Sequence, residues 1–562
     1  ELFENKEVGI EILMLAAALG SALLGMWDEA AFLVFIYGVA EGLEEYAYAK
    51  TRASIRKLLD LAPKEANLIQ NGKTIIVPAQ SLKIGDIFLV KSGESLATDG
   101  VVIKGGSSIN EASVTGESMP VEKTVGMKVF AATLNLQGVL EVKATATFAN
   151  NTLSKIVHLV EEAQEKKGRA QLFIDKFGKI YSPLVLLVAA CFAIAPLLFD
   201  VSFAVWATRA VVLLVAAAPC ALIMSTPVAV AAGIGRAGRE GVLIKGGVAL
   251  EDLGKVKAVA FDKTGTLTKG NPIVTDIIAL EDTEDELLGK AAGIENLSEH
   301  PLAQAILEKA ERMGIQPMNA ANFRSIPGFG AEARVANETV YVGKPGLFEQ
   351  FGLKLDIPQL EELRQAGKTI MLVGTKEHVC GIIAARDEIR PEAKEVIQKL
   401  HTLGIKVAML TGDNHGTAQA IAKELGIDEV RADLKPDDKI MAIRILETMY
   451  GKVAMVGDGV NDAPALAGAS VGIAMGVAGS DAAIEAADVA LMADDLNKIP
   501  YVLGLGKKSR SISMQNITFS LLLLAMLVPS AVIGIMTVTL AVFIHEGSEL
   551  LAVANGLRVG RK

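Results

Sequence analysis

Three apolar, β-branched runs in this chain each end on a carboxylate. In "AVAFDKTGTLT" Asp262 leads straight into a Gly-Thr turn that also carries Thr264; "IKVAMLTGD" ends on Thr411, Gly412 and Asp413; and "GKVAMVGDGVND" ends on Asp458, Asn461 and Asp462. Lys439, in "KPDDK", lies between the second and third. A carboxylate presented beside free backbone N–H groups can attack phosphorus as a covalent nucleophile. Two or three carboxylates with a lysine around one phosphate make a Mg²⁺ site and a charge clamp, which phosphoryl transfer requires. Asp and Gly are also common turn residues, and a single match would mean no more than that. Three ordered matches at strand ends favour the chemistry.

A second constellation is apolar. "LLVAAAPCALIMSTPVAV" puts Pro219 and Cys220 inside a run suited to a membrane, and "VFIHEGSELLAVANGL" puts His545, Glu546, Ser548 and Glu549 inside another. Proline in a membrane helix frees carbonyls that a neighbour or a bound species must satisfy. An isolated cysteine on an apolar face is usually packing, but ionisable groups within a span are functional candidates by default. Cys220, His545, Glu546 and Ser548 form the expected ion site; sulfur, imidazole and carboxylate together suit a divalent transition ion such as Zn²⁺ or Co²⁺, with Cd²⁺ also admissible. Cys191 and Cys380 read as packing.

A third group is weaker by itself. "IENLSEHPLAQAI" sets Glu295 and His300 near a helix start, and "IPGFGAEA" offers Gly328 and Gly330, where a ring or phosphate can approach backbone closely.

These groups need both membrane and water-facing elements to position them, and the composition supplies both. With 51% hydrophobic and 21% charged residues over 562 positions, the chain is too apolar for an ordinary soluble enzyme and too charged for a pure membrane bundle. Its net charge of −10, without a long basic block, excludes a nucleic-acid partner. Three scattered cysteines exclude a disulfide framework or a cysteine-cluster metal domain. The chain begins at Glu1, so its start is expected to be processed, truncated or engineered.

Six segments, near 8–27, 30–49, 182–200, 206–232, 517–536 and 538–558, are apolar enough to span a bilayer. Lys50, Arg52, Arg236, Arg239, Lys507 and Lys508 mark their cytoplasmic ends, with Arg209 the exception at the opposite side. Three hairpins result: 1–58, 161–240 and 503–562. A small all-β module is expected at 59–160 and a doubly wound parallel sheet at 241–270 and 381–502, interrupted by an insertion at 271–380. Glu41, Glu44 and Glu45 end the second span, either as a polar interfacial edge, the reading slightly favoured, or as a collector of cations.

"DKTGTLT", "TGD", "GDGVND" and "TGES" (115–118) together resemble a P-type ATPase over essentially the whole chain. The resemblance implies a multidomain membrane α-helical bundle with a cytoplasmic all-β actuator domain, an α/β haloacid-dehalogenase-like phosphorylation domain and an inserted α+β nucleotide-binding domain. It implies that ATP phosphorylates Asp262, that Lys439, Thr264, Thr411 and Asp458 organise phosphate and Mg²⁺, and that Glu117 positions the water of dephosphorylation. The SEHP motif with its downstream GxG is similar to the adenine-binding pattern of the heavy-metal branch, although Lys344 stands where that branch often has Asn. Pro-Cys with "HEGS" is most like the cobalt/zinc subgroup, which usually carries Ser-Pro-Cys and HEG(G/S)T; this chain has Ala218 for the serine and Glu549 for the threonine.

The branch also has two further helices before the core, expected here to be truncated away or truly absent. The implied function is ATP-driven export of a divalent transition metal, with ATP, the metal ion and the lipid bilayer as partners, by a monomer in a bacterial plasma membrane with its large domains cytoplasmic. The alternatives are a P-type pump for another cation and a metal-responsive membrane phosphohydrolase that does not transport.

Overall fold

The computed structural model describes residues 11–56, 62–115, 120–199, 202–224, 226–298, 300–413, 415–458, 462–476 and 485–561. They divide into two compact units, residues 1–255 with 476–562, and residues 256–475.

The first unit contains the membrane helices. Glu11–Leu23 and Trp27–Arg56 form one hairpin, Arg169–Leu198 leads to a broken helix, and Lys498–Ile533 turns into Val538–Leu557. Residues 1–10, where the first expected span begins, lie outside the described residues. Among the described residues, three helical stretches are long and apolar enough to cross a membrane: Thr152–Leu198, Phe203–Arg239 and Lys498–Ile533. The middle stretch is apolar on every side, and all-round apolar helices belong in the centre of a bundle. Val211 to Ala218 are accordingly all buried, whereas Leu184, Leu187, Leu522 and Met526 on the flanking helices are exposed, as lipid-facing residues should be. Cys191 is exposed on Arg169–Leu198, so the packing role expected for it does not apply.

The proline break is resolved residue by residue. Phe203–Ala216 closes with Ala217 N–H donating to the Leu213 carbonyl at 2.9 Å and Ala218 N–H to the Val215 carbonyl at 3.3 Å. Pro219 has no N–H to continue the ladder. Its carbonyl instead starts a new turn, accepting from Leu222 and Ile223, and Cys220–Met224 follows as a five-residue helix. Pro227–Arg239 then resumes with proline in its first turn, where the missing donor costs nothing. Cys220 thus stands at the first residue after the gap.

Two details depart from the sequence reading. Lys498–Ile533 is one 36-residue helix, not a span starting near 517, because its polar first half is a helix already packed through Ile499, Val502 and Leu503. Arg209 is accommodated by stacking on Trp206 at 5.4 Å and by lying against Gly534, where any Cβ would sit 2.5 Å from the guanidinium.

The water-facing part of the first unit is a six-stranded antiparallel sheet, in the order Lys73–Pro78, Glu65–Gln70, Ile87–Val90, Leu140–Ala144, Gly100–Lys104, Lys128–Val129, with a three-stranded sheet beside it. Alternate residues Phe88, Val90, Val102, Leu140, Val142 and Ala144 fill its core. Glu117 lies outside the described residues.

In the second unit five parallel strands run in the order Val471–Ala474, Val453–Gly457, Ala258–Asp262, Lys406–Leu410, Glu429–Arg431. The first strand in sequence is central, with the later strands added on either side, which opens a crevice beside its carboxyl end. Thr268–Ala279 and Val379–Ile389 pair antiparallel and lead out to a second, six-stranded sheet, which they share with Thr369–Gly374, Glu338–Gly343, Gly330–Val335 and Ala320–Ile326. Both long strands run through the expected cuts at 270 and 380. Helices Glu284–Glu295 and Pro301–Met313 bury Leu287, Leu288, Ala291 and Ile306 against that sheet.

Candidate functional site

Strand register brings the three carboxylate motifs together. Asp262 pairs with Leu410, one residue before Thr411, and Phe261 with Val456, two before Asp458, so the three motifs leave adjacent strand ends. The strand Ala258–Asp262 is buried throughout, leaving Asp262 only 7% exposed. Beyond it Gly265 takes φ 75°, the left-handed turn glycine adopts without strain, and its carbonyl accepts from Arg390 Nη2 at 3.1 Å.

Lys439 Nζ donates to Asp262 Oδ1 and to Asp462 Oδ1, both at 2.6 Å. Burial raises the Asp262 carboxyl to about 6, the charges of Asp462 and Asp458 push the same way, and Lys439 opposes them. The lysine therefore holds together two carboxylates that would repel each other in a dry crevice. Gly457 is required here, because a Cβ would meet Asp462 Oδ2 at 2.6 Å.

Asp413 is placed differently from its motif partners. Its carboxylate pairs with Lys263 Nζ at 2.5 Å and is a third exposed, while its N–H donates to the Thr411 hydroxyl at 3.1 Å. That contact uses the hydroxyl as acceptor, so its proton remains available for a phosphate oxygen. The Lys263–Asp413 tie, Arg390 and the bridging contact of Asp462, a residue already named in its motif, were not expected from sequence. Each joins residues 23 to 150 positions apart, a kind of proximity that spacing does not disclose. Asp262 and Asp458 at neighbouring strand ends are the hard oxygen donors that Mg²⁺ takes, and Thr264 lies in the intervening loop.

Removing the lysine is expected to be costly. Lys439→Met leaves Asp262 and Asp462 as an uncompensated buried pair, with an expected loss of about 3 kcal/mol. Exchange of amide hydrogens in Val453–Gly457 should accelerate accordingly, and the double variant Lys439→Met/Asp462→Asn should recover part of the protection. Unchanged exchange in Lys439→Met would refute the clamp.

In the inserted domain Glu295, His300, Gly328 and Gly330 line one cavity of about 210 Å³, together with Phe323, Phe329 and Lys344. His300 caps Pro301–Met313, its Nδ1 accepting from Leu302 N–H at 3.2 Å, which leaves Nε2 as the donor. Glu295 is buried, which raises its pKa, while Ser298 opposes the shift. The two glycines differ. Gly330 is needed for packing, because a Cβ would lie 2.1 Å from the Val342 carbonyl, whereas Gly328 at φ 80° has open space beside it. With adenine in this cavity, His300→Ala should raise the KM for ATP several-fold and change the rate at saturating ATP little. An unchanged KM would remove the histidine from the nucleotide contact.

In the membrane the donor atoms of Cys220, His545 and Glu549 lie within 4.8 Å of one another. Of the expected set, Cys220 and His545 stand in this group; Glu546 and Ser548 lie outside it, and Glu549 is the carboxylate within it. Residues four apart share a helix face, so His545 presents Glu549 beside it, whereas Glu546 is turned roughly 100° away. The Ser548 hydroxyl donates to the His545 carbonyl at 2.6 Å within its own helix. His545 Nε2 is buried without a hydrogen-bond partner, as are both Glu546 carboxylate oxygens. A buried imidazole nitrogen left unpartnered beside a thiol and a carboxylate suits a cation as its partner. Glu41 and Glu45 lie exposed along Trp27–Arg56.

Residues 60–161 match the P-type ATPase actuator domain, and residues 256–470 match the haloacid dehalogenase-like hydrolases. A probable cadmium-transporting ATPase of Alkalihalophilus pseudofirmus is 46% identical over 99% of this chain and 78% of its own length. A zinc-transporting ATPase of Bacillus subtilis is 44% identical over 100% of this chain and 88% of its own. The crystal structure of a zinc-transporting PIB-type ATPase in its E2.Pi state is 38% identical and covers 98% of this chain and 90% of its own, with a TM-score of 0.65.

Proposed function

This chain belongs to the P-type ATPases, integral membrane proteins with cytoplasmic domains that use ATP and Mg²⁺, and from that premise we propose that it exports a divalent transition ion from the cytoplasm across a bacterial plasma membrane, acting as a monomer. The single observation that carries the ion class is the convergence of Cys220, His545 and Glu549 at the helix break. Thiolate and carboxylate together neutralise a dication in a medium where an unpaired charge is costly. Thiolate and imidazole favour Zn²⁺, Cd²⁺ or Co²⁺ over Ca²⁺ or Na⁺. The named relatives are a probable cadmium-transporting ATPase and a zinc-transporting ATPase, which supports those two ions ahead of cobalt.

Each residue has a role in the reaction. An Asp262 oxygen attacks the γ-phosphorus of ATP, the bond to the β-phosphate oxygen breaks, and ADP leaves an acyl phosphate. Lys439 sits where the transferred phosphoryl group accumulates negative charge, and Thr411 offers its hydroxyl proton. When bound, Mg²⁺ held by Asp262, Asp458 and the Thr264 loop screens the phosphate charge. Glu117 positions the water that later cleaves the acyl phosphate.

The test is ATP hydrolysis by the purified full chain across a panel of ions. Stimulation by Zn²⁺ or Cd²⁺, without stimulation by Na⁺, K⁺ or Ca²⁺, is expected. Stimulation by an alkali or alkaline-earth ion instead would indicate a pump of a different class.

A further inference from the structure

A second group of mixed metal donors lies far along the sequence from the membrane set, on the inserted domain. The donor atoms of Glu281, His378 and Cys380 fall within 4.8 Å of one another. We propose that Glu281, His378 and Cys380 bind a borderline divalent cation of the Zn²⁺, Cd²⁺ or Co²⁺ class at the water-facing surface of this domain, separate from the ion being transported.

The backbone holds all three in place. Thr268–Ala279 pairs with Val379–Ile389, and beyond the last rung both Leu280 N–H and Glu281 N–H donate to the Cys380 carbonyl, at 2.9 and 3.2 Å. His378 ends the hairpin turn before that strand. There the Thr375 N–H donates to the His378 carbonyl, and the Thr375 hydroxyl accepts from the N–H groups of Glu377 and His378.

The ring is oriented as a metal-binding imidazole usually is. Nδ1 is engaged by the Thr375 hydroxyl at 3.1 Å and Nε2 faces Glu281 at 3.2 Å, so one nitrogen is fixed by the protein and the other is directed at the cluster. Glu281 and His378 are open to solvent and the thiol lies beneath them, 4% exposed, which gives an ion a way in from water to the soft donor. A thiol binds such an ion as the thiolate, so coordination releases its proton to water. Lys290 sits close enough to favour the thiolate and is itself held by Asp282 at 2.6 Å. Sulfur and imidazole beside one carboxylate disfavour Mg²⁺ and Ca²⁺, which the surrounding water would contain in excess.

The experiment uses the purified full chain carrying Cys220→Ala, so that the membrane thiol makes no contribution, and titrates it with Co²⁺. Thiolate-to-cobalt charge-transfer absorption should persist in that background and vanish with Cys220→Ala/Cys380→Ser. His378→Ala and Glu281→Gln, substitutions on the exposed rim that do not disturb the core, should each weaken Co²⁺ binding by about tenfold or more. Absence of the absorption in the Cys220→Ala protein, its survival in Cys220→Ala/Cys380→Ser, or rim variants that bind as the parent does would each overturn the site. Because Cys220 is absent throughout, the outcome is independent of whether the membrane site is correctly assigned.

Discussion

Asp262→Asn is expected to abolish acid-stable labelling of the protein by ATP. An amide has no charged oxygen to attack phosphorus, and loss of a covalent nucleophile typically costs several orders of magnitude, about 10³-fold or more. The fold should survive, since the substitution is isosteric and Lys439 keeps its bond to Asp462 at 2.6 Å. The complementary variant separates the two halves of the cycle. Glu117→Gln should still accept phosphate from ATP and then release it slowly, because only the group acting on water is lost. Labelling at wild-type levels in Asp262→Asn, measured on acid gels with γ-labelled ATP, would move the nucleophile elsewhere in the crevice.

The second large effect belongs to the membrane set. Cys220→Ala, His545→Ala and Glu549→Gln should each raise the metal concentration for half-maximal ATPase stimulation by about 100-fold, since each leaves a half-made ion site in low dielectric. Ser548→Ala should change it little, its hydroxyl being spent on the His545 carbonyl. Glu546→Gln keeps the shape of a side chain that lies outside the three-donor group and should affect stimulation less than Glu549→Gln. Phosphorylation from inorganic phosphate without metal should persist in all five, because it uses the water-facing residues alone. The reverse order, with Glu546 dominant and Glu549 neutral, would restore the set expected from sequence and reject the one argued from geometry.

That difference shows where sequence reading stops. Asp262, Thr411 and Asp458 were legible because a β-branched run followed by a carboxylate and glycine describes a strand end locally, and the parallel register then aligns them. Pro219 announced its own helix break. The choice between Glu546 and Glu549 depends on how one helix is rotated against another, and both lie in the same apolar run. Lys439 was expected at the phosphate, but its bridging of Asp262 to Asp462 is a contact across 177 and 23 positions that only the folded sheet creates. The expected cuts at 270 and 380 fall inside Thr268–Ala279 and Val379–Ile389; Gly270, Asn271 and Pro272 read as a break in composition, but the strand runs through them with only an irregularity in register. Cys380 was read as packing and is buried in the core of the inserted domain; that Glu281 comes beside it depends on the pairing of two strands far apart in the chain, which spacing does not disclose.

The central claim, that ATP hydrolysis drives a transition ion across the membrane, is tested most directly by uptake into proteoliposomes. Wild-type protein reconstituted with its catalytic unit facing outward, given ATP and Zn²⁺ or Cd²⁺, should accumulate the ion inside against its gradient, and Asp262→Asn in the same vesicles should not. Metal-stimulated ATP hydrolysis by the wild type with no accumulation in sealed vesicles would contradict the account and identify a metal-responsive phosphohydrolase instead.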